Sequence, residues 1–428
     1  GEVLVSDALI EKPTLFETLA DWRDKLSVLP PARFDSANGE KRLQSLFGVK
    51  TLEAFGDFGR AEQAAAAALV DYVELTQKGQ LPRIAHLKQL STTQVMEIDA
   101  ATRRNLELTL TLSGERKGSL LSIIDATLTG AGARLLASHL AAPLREPAEI
   151  DTRLDMVQFF MDGERLCEDV RGGLKRCPDI ARALSRLTLG RGGPRDLGAV
   201  RDGLAMSATL RAVLEDPTVS GVPQGIEAAV RGLGHHGELI ERLARALSPD
   251  LPLYVRDGGF IAEGYAAELD QFRLLRDESR RLIAGLQSRY VEATGISALK
   301  VKHNNVLGYF VEVPAKHGDT VPCGPEDAFI HRQTMANAMR FSTIELNELE
   351  QKIGRAADQA LALELSLFDD LLGEITGRVE DIALSASSLA SIDVATALAH
   401  LARQRRYTRP RVDASMEFDI QGGRHPVV

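Results

Sequence analysis

The sequence predicts a mainly α-helical protein in which a long antiparallel helical hairpin carries a small β element, with a partial α/β domain at the N-terminus. Three observations lead to this fold class. Short β-like and helical runs alternate up to about residue 90, and helical spacing is almost unbroken from 92 to 290. A β-type segment, Leu299 to Val313, then lies between two long amphipathic stretches.

The first 90 residues combine a β-like run at Val3 to Val5 with a helical run from Ala61 to Gln77. Prolines 30 and 31 and several glycines punctuate these runs, as they do in small α/β domains. The first residues resemble the inside of a strand and lack the basic and apolar regions of a signal peptide. We therefore expect only part of an α/β domain here.

The next region is predicted to be a multi-helix domain without a regular repeat. Prolines and glycines separate its periodic runs, as expected at helix ends. The predicted helical stretches are Ser119 to Thr127, Gly132 to Ala141, Pro147 to Asp162, Gly163 to Arg171, Arg195 to Glu215, Gly225 to Leu247 and, near the end, Thr376 to Gln404.

Two apolar stripes flank the β-type segment and predict the helical hairpin. Their spacing is close to that of a coiled-coil seam, so we expect the two helices to pack antiparallel with residues 296 to 343 at their shared end. A 25-residue arm would hold that tip about 35 Å from its base. The stripes are Leu269, Phe272, Leu275, Leu282, Leu286 and Tyr290 in the first arm, and Leu346, Leu349, Ile353, Ala356, Ala360, Leu363 and Leu367 in the second.

Composition indicates a globular chain of two to four domains, since 44% of its 428 residues are hydrophobic and 26% are charged. Its uninterrupted apolar runs are much shorter than the roughly 20 residues of a membrane span, so we expect no membrane association. The net charge of −9 argues against a protein that coats nucleic acid along its whole surface. The tip differs, because residues 296 to 343 hold five Lys or Arg, four Asp or Glu and three His.

Motifs of catalysis and metal binding are not evident, so we assign no catalytic, cofactor-binding or metal-binding residue, and enzymatic activity stays uncertain. Gly114 to Ser119 resembles a phosphate loop but lacks its spacing, and we interpret it as a surface turn. We place His235 and His236 in an interhelical loop. The three cysteines have neither zinc-site spacing nor disulfide density, which favours reduced thiols in a cytoplasm.

Polar donors in the tip suggest contact with phosphate. Strand alternation places Lys300 and Lys302 on one face, and Asn304-Asn305 is typical of a turn. If the stretch from 331 to 340 is helical, Gln333, Asn337 and Arg340 also share a face. Such donors suit the phosphate oxygens of a duplex. A hairpin with a solvated polar surface is the alternative.

Several longer motifs resemble those of the MutS family of bacterial DNA mismatch-repair proteins, and the resemblance runs along essentially the whole chain. The motifs are Asp99-Ala-Ala-Thr-Arg-Arg-Asn-Leu-Glu-Leu108, Pro194-Arg-Asp-Leu197, Val255-Arg-Asp-Gly-Gly259, Lys300-Val301, Gly308-Tyr309, Arg332-Gln-Thr334, Asn337-Ala338 and Gly423-Arg-His-Pro-Val-Val428.

The resemblance implies a domain order for this chain. Residues 1–91 would be part of a connector domain, and residues 92–291 and 356–418 the two parts of a lever or core domain. Residues 292–355 would form a clamp, and 419–428 the start of an ATPase domain, introduced by a strand-like Met416 to Ile420. The loop from Lys316 to Asp327 is longer and more acidic than the family pattern suggests, so no contact is assigned to Lys316.

The resemblance also implies a function: DNA mismatch repair, with a clamp that grips the duplex backbone and lever helices that couple it to nucleotide state. ATP and magnesium, a homodimer, a MutL-type partner and a nucleoid-associated cytoplasmic location are expected of the longer protein. The alternatives are a family paralogue acting in recombination and a helical scaffold that binds proteins without DNA contact. The expected DNA-binding residues are Lys300, Lys302, Asn304, Asn305, Arg332, Gln333, Asn337 and Arg340.

Two pairs of basic residues have open interpretations. Arg103 and Arg104 could face DNA or serve in structural ion pairs within the lever. Arg424, with His425, could lie at the entry to an ATPase domain or form a structural turn.

Overall fold

A computed structural model describes residues 2–15, 19, 22–77, 81, 84, 87, 95–304, 306–323 and 329–427. Over these residues the protein is mainly helical with two small sheets, which confirms the predicted fold class. Its chain divides into two compact units. The first unit contains Gly1–Gly192, Ala199–Ile240 and Arg378–Val428, and the second contains Gly193–Gly198 and Glu241–Gly377.

The N-terminal part of the first unit is a small α/β structure. Strands β1 (Val3–Ser6) and β2 (Leu26–Leu29) pair in parallel. Helix α1 (Asp7–Ile10) lies between them in the sequence, and helices α2 (Ser36–Phe47) and α3 (Arg60–Thr76) come after β2. Asp35 caps the start of helix α2, because its side chain accepts a hydrogen bond from the Asn38 amide at 2.7 Å. The buried core here consists of Leu43, Leu52, Ala67 and Val70.

The rest of the first unit, where the structure describes it, is mainly helical, and the remaining helices of the described residues have the following bounds. They are α4 (Ala100–Asn105), α5 (Leu120–Ile124), α6 (Gly130–Ala141), α7 (Pro147–Asp162), α8 (Glu164–Leu174), α9 (Ile180–Thr188), α10 (Pro194–Leu214), α11 (Gln224–Gly232), α12 (Gly237–Ala246), α13 (Ala267–Thr294), α14 (Ile344–Gly377) and α15 (Val379–Arg405).

Helix α15 is the centre of the first unit. Helices α6, α7, α8, α9 and α11 pack around it, so that it is buried on nearly all sides between Ser385 and Ala399. By length and composition α15 could cross a membrane, but 72% of its most apolar window is buried, as in the core helix of a globular protein. Asp393 in this helix is fully buried and accepts hydrogen bonds from the Thr129 amide and hydroxyl at 2.8 and 2.7 Å.

Most predicted helices are present, with some differences. Helices α2, α4 and α9 were not among the predicted stretches, and the run from Ser119 to Thr127 is helical only in α5. The stretch from Gly225 to Leu247 is two helices, because Gly234 takes a left-handed conformation with φ +65° between α11 and α12. His235 and His236 lie in this interhelical loop, as predicted.

The second unit is built on α13 and α14, joined by a four-stranded sheet. Strands β3 (Lys300–Asn304), β4 (Gly308–Pro314), β5 (Ile330–Thr334) and β6 (Ala338–Ser342) are ordered β3-β4-β6-β5, with antiparallel neighbours. Arg289 of α13 pairs with Glu345 at 2.6 Å, and Arg273 pairs with Glu364 at 2.5 Å. The later residues of α13 therefore meet the earlier residues of α14, and the predicted antiparallel arrangement is confirmed.

The predicted apolar stripes are correct near the sheet and only partly correct further along the arms. In α13, Leu275 and Leu282 are 52% and 58% exposed, although Leu269, Leu286 and Tyr290 are buried. In α14 the prediction holds from Leu346 to Ala360; beyond that point Glu364 and Phe368 are buried in place of Leu363 and Leu367. A straight α-helix has 3.6 residues per turn, so its buried face moves away from a stripe with a 3.5-residue period.

One face of the sheet packs against the two arms. Val311, Val313 and Phe341 of the strands join Leu286 and Leu346 of the helices in a single buried cluster. A hydrogen bond of 2.7 Å between the hydroxyls of Tyr290 and Thr343 ties α13 to the residue that precedes α14. The sheet is thus fixed on the arms by one face, and its other face is available for contacts.

The strand predicted at Met416 to Ile420 is wrong. This segment has no strand partner among the described residues, and Met416 and Phe418 are 100% and 88% exposed. Its apolar alternation is typical of a strand, but a strand also needs a neighbour that accepts and donates its backbone hydrogen bonds.

Candidate nucleic-acid interface

The face of the sheet turned away from α13 and α14 carries a row of charged and polar side chains. In an antiparallel sheet, directly opposed residues lie on the same face. Lys300 is opposite Glu312, Glu312 is opposite Arg340, and Arg340 is opposite Gln333. Strand alternation adds Lys302, with its opposed residue Phe310. We call this set of six residues the outer face.

Glu312 is at the centre of the charges on the outer face. Its Oε1 lies 2.6 Å from the Lys302 Nζ, and its Oε2 lies 3.2 Å from the Arg340 Nε. The side chains of Glu312 and Arg340 are each 19% exposed, whereas Lys302 is 49% exposed. Hydrogen bonding from Lys302, followed by that from Arg340, lowers the pKa of Glu312 and keeps its carboxylate ionised.

Three separate contacts hold Arg340 in place. In addition to the Glu312 ion pair, its Nη1 donates a hydrogen bond to the Gln333 Oε1 at 3.0 Å. Its guanidinium carbon lies 4.6 Å from the ring centre of Phe310, within the range of a cation–π interaction. Phe310 is buried beneath it. Arg340 is therefore a fixed, partly shielded positive charge.

Lys300 and Arg332 are exposed cations of the predicted set, as Lys302 is. Lys300 lies at the start of β3, on the same face as Lys302. Arg332 lies in β5, where the pairing with β6 shifts register between His331 and Gln333. Such a bulge adds a residue to one strand and redirects its side chain.

The three asparagines predicted to bind DNA have different positions. The Asn304 Oδ1 accepts hydrogen bonds from the amides of Val306 and Leu307 at 2.9 and 2.7 Å, so this side chain stabilises the turn between β3 and β4. Asn305 is outside the described residues. Asn337 is exposed in the turn between β5 and β6, and its carbonyl accepts from the Ala315 amide at 3.1 Å.

The helical interpretation of residues 331–340 is wrong, because these residues form the β5–β6 hairpin. Gln333 and Arg340 are brought together by strand register, and Asn337 lies in the connecting turn. The polar residues have helical spacing, but Met339 and Phe341 alternate toward the arms, and their burial favours a strand.

Sequence reasoning missed Glu312 and Phe310, which organise the outer face. A signal was available, because Phe310 and Glu312 alternate with the apolar residues Val311 and Val313. The pairing register that opposes Glu312 to Lys300 and Arg340 depends on the turn around Gly308, where φ is +68°. That register could not be derived from residue types alone.

Comparison with models of protein families identifies the family of this chain. The family model described as MutS domain III matches residues 101–399, and the model of MutS domain II matches residues 1–85. The chain belongs to the MutS family. All described candidate DNA-binding residues fall within the match to MutS domain III.

Curated relatives agree with this MutS assignment. DNA mismatch repair protein MutS of Rhizobium meliloti (strain 1021) and that of Rhodopseudomonas palustris (strain HaA2) are each 50% identical over 432 residues, covering 100% of this chain and 47% of each relative. The protein of the same description from Ruegeria sp. (strain TM1040) is 48% identical over 429 residues, with 100% of this chain and 48% of the relative covered. The chain spans about half the length of these relatives.

Two other arginine sites in this MutS-family chain have structural contacts. The Arg103 Nη2 donates to the carbonyls of Ile98 and Ala141 at 3.2 and 3.1 Å, so its described contacts are hydrogen bonds to the backbone in place of the predicted ion pairs. The Arg424 Nη2 donates to the carbonyls of Arg405 and Arg406 at 2.6 and 3.1 Å, at the end of α15. These bonds favour the structural interpretation of both residues.

The remaining candidates from the sequence are a glycine-containing segment and the three cysteines. Gly114 to Ser119 forms a turn, as predicted, with Gly114 at φ +83°. Cys167 is buried, Cys177 half-buried and Cys323 exposed. Burial raises the pKa of the Cys177 thiol to about 12, which makes it a poor nucleophile. Among the described residues no cluster of His, Cys, Asp or Glu is arranged to hold a metal ion.

Proposed function

We propose that this chain acts in DNA mismatch repair by gripping the backbone of duplex DNA with the outer face of its four-stranded sheet. The observation that carries the proposal is the alignment of Lys300, Lys302 and Arg340 on one face, with exposed Arg332 in the adjoining strand. Membership of the MutS family and the mismatch-repair name of its relatives support it.

The chemistry of these residues suits phosphate. Lysine supplies a compact charge with three donors, and arginine supplies a planar fork that matches two phosphate oxygens. Contacts of this kind position a duplex without reading its base sequence. The opposite face of the sheet is fixed on α13 and α14, so the cations project from a rigid support.

For the longer MutS protein we propose that ATP and magnesium bind outside this chain. We further propose that the long helices α13 and α14 move the sheet toward or away from DNA in response to the bound nucleotide. Helices of 28 and 34 residues are stiff enough to transmit such a movement. A homodimer, a MutL-type partner and a cytoplasmic, nucleoid-associated location belong to the same proposal.

The test is fluorescence anisotropy of this chain with a labelled 30-base-pair duplex at low salt. Replacing Lys300, Lys302, Arg332 and Arg340 together by alanine should weaken binding about tenfold or more, because each lost cation removes a phosphate contact. A matched control removes two lysines and two arginines from exposed helical and loop positions of the first unit: Lys41, Lys175, Arg182 and Arg231.

The control variant should bind within about twofold of the unmodified chain, because salt screens the attraction between DNA and surface charges that lie away from the contact. Equal losses in both variants would show that general charge attracts DNA and would contradict binding by the outer face. Unchanged binding in the sheet variant would also contradict binding by the outer face, because the DNA contact would then lie elsewhere. No binding of the duplex by the unmodified chain would favour the helical protein-binding scaffold. Circular dichroism of both variants establishes that they fold.

A further inference from the structure

Glu312 occupies both of its carboxylate oxygens with cations of the outer face. Lys302 of β3 binds Oε1 at 2.6 Å, and Arg340 of β6 binds Oε2 at 3.2 Å. A DNA phosphodiester would offer the same two cations a similar pair of anionic oxygens. We infer that Glu312 is an internal substitute for a DNA phosphate, which a duplex must displace from Lys302 to bind this part of the sheet. The inference rests on the function proposed above.

The exchange should occur at Lys302, because the two cations are held unequally. Arg340 is fixed by Glu312, by the Gln333 Oε1 and by the ring of Phe310, and only 19% of its side chain is exposed. Lys302 is 49% exposed, and its described contact is the single bond to Glu312. Ion pairs at exposed positions are weak, so its ammonium can move to a phosphate at small cost.

The negative charge of Glu312 should therefore restrain DNA affinity. Its carboxylate competes for Lys302 and repels any phosphate that approaches Arg340. Glutamine at this position keeps the size of the side chain and one acceptor oxygen but removes the charge. Gln333 and Phe310 would continue to orient Arg340, so the loss of competition should outweigh any loss of positioning.

The experiment measures the dissociation constant of this chain and its Glu312→Gln variant for one matched duplex across a salt series. We expect the variant to bind about three- to tenfold more tightly at about 0.1 M salt, with a salt dependence steeper by up to about one counterion. The control is Glu345→Gln. Glu345 is also ion-paired to an arginine, Arg289, at 2.6 Å, but it lies on α14 and outside the outer face.

A double-mutant cycle locates the competition. In a Lys302→Ala background the gain in DNA affinity from Glu312→Gln should fall to about twofold or less, because the cation for which the carboxylate competes with DNA is gone. If glutamine perturbs the strand, Glu312→Thr removes the same charge with a residue that favours β structure, and the same increase in affinity is expected.

Equal or weaker binding by Glu312→Gln than by the unmodified chain overturns the inference and leaves the proposed function intact. An equal gain in Glu345→Gln also overturns it, since net charge would then explain the effect. If neither the unmodified chain nor Glu312→Gln binds a duplex, the proposed function fails and the inference fails with it. Binding by the variant alone supports both.

Discussion

His139 shows how burial controls a single charge. It lies half-buried in the last turn of α6, and burial, followed by the nearby positive charge of Arg153, lowers its pKa to about 4. Its ordinary value is about 6.5, so between pH 6.5 and 4 the unfolded chain binds a proton that the folded protein excludes. His139 therefore reduces stability as the pH falls through this range, and its effect is constant above it.

The variant His139→Gln should lose less stability than the unmodified chain when the pH falls from 7 to 5, because glutamine binds no proton in either state. Urea unfolding at several pH values measures the difference in the free energy of unfolding. Parallel pH profiles for the two proteins would contradict this assignment. A histidine resonance that titrates near pH 4 and is missing in the variant would support it independently.

The sequence did not predict the buried carboxylates that connect distant segments of the chain. Asp393 accepts from the amide and hydroxyl of Thr129, and Glu364 accepts from the Gly259 amide at 2.5 Å while pairing with Arg273. An apolar periodicity predicts which helix face is buried but gives no partner for a charge on that face. Such partners depend on tertiary packing, which brings residues far apart in sequence into hydrogen-bonding distance.

At the scale of elements, local spacing predicted the helices well and the hairpins poorly. The apolar repeats of α13 and α14 extend over many turns, so they indicate helix, packing face and antiparallel partner near the sheet. The β5–β6 hairpin has strands of only five residues, and its polar side chains have a helical spacing by coincidence. Lys300 and Lys302 were correctly placed on one face, whereas Arg340 and Glu312 required the strand register.

The turn between β3 and β4 depends on Gly308. Its φ of +68° is unfavourable for other residues, and an added Cβ would lie 1.8 Å from the Glu350 Oε1. Gly295, at the end of α13, has the same φ with open space around it. Comparison of the two positions separates backbone strain from the clash.

We expect Gly295→Ala to destabilise the chain by about 1 kcal/mol, the usual cost of a positive φ at a residue with a Cβ. Gly308→Ala should cost about 1–3 kcal/mol more, because the Glu350 carboxylate must also move. Adding Glu350→Ala should recover most of that excess. Chemical denaturation measures all three variants, and equal losses for the two alanine substitutions would show that the contact with Glu350 does not matter.

At the scale of the whole molecule, charge is distributed unevenly. The chain carries a net charge of −9, yet four cations lie in β3, β5 and β6, with Glu312 as the acid among them on the outer face. An acidic protein of this kind gains no general attraction to DNA. Binding must then come from a small number of local contacts, and the number of contacts can be measured.

The salt dependence of duplex binding gives that number. Each phosphate neutralised lowers the logarithm of the affinity by about 0.9 per logarithm of salt, so four cations, two of them paired with Glu312, predict a slope between about −2 and −4. Matched and single-mismatch duplexes should bind within about twofold of each other, since phosphate contacts carry no base information. Anisotropy titrations from about 0.05 to 0.3 M salt measure both quantities. A slope near zero would exclude a backbone grip, and a preference above about fivefold for the mismatch would require base contacts that the outer face does not supply.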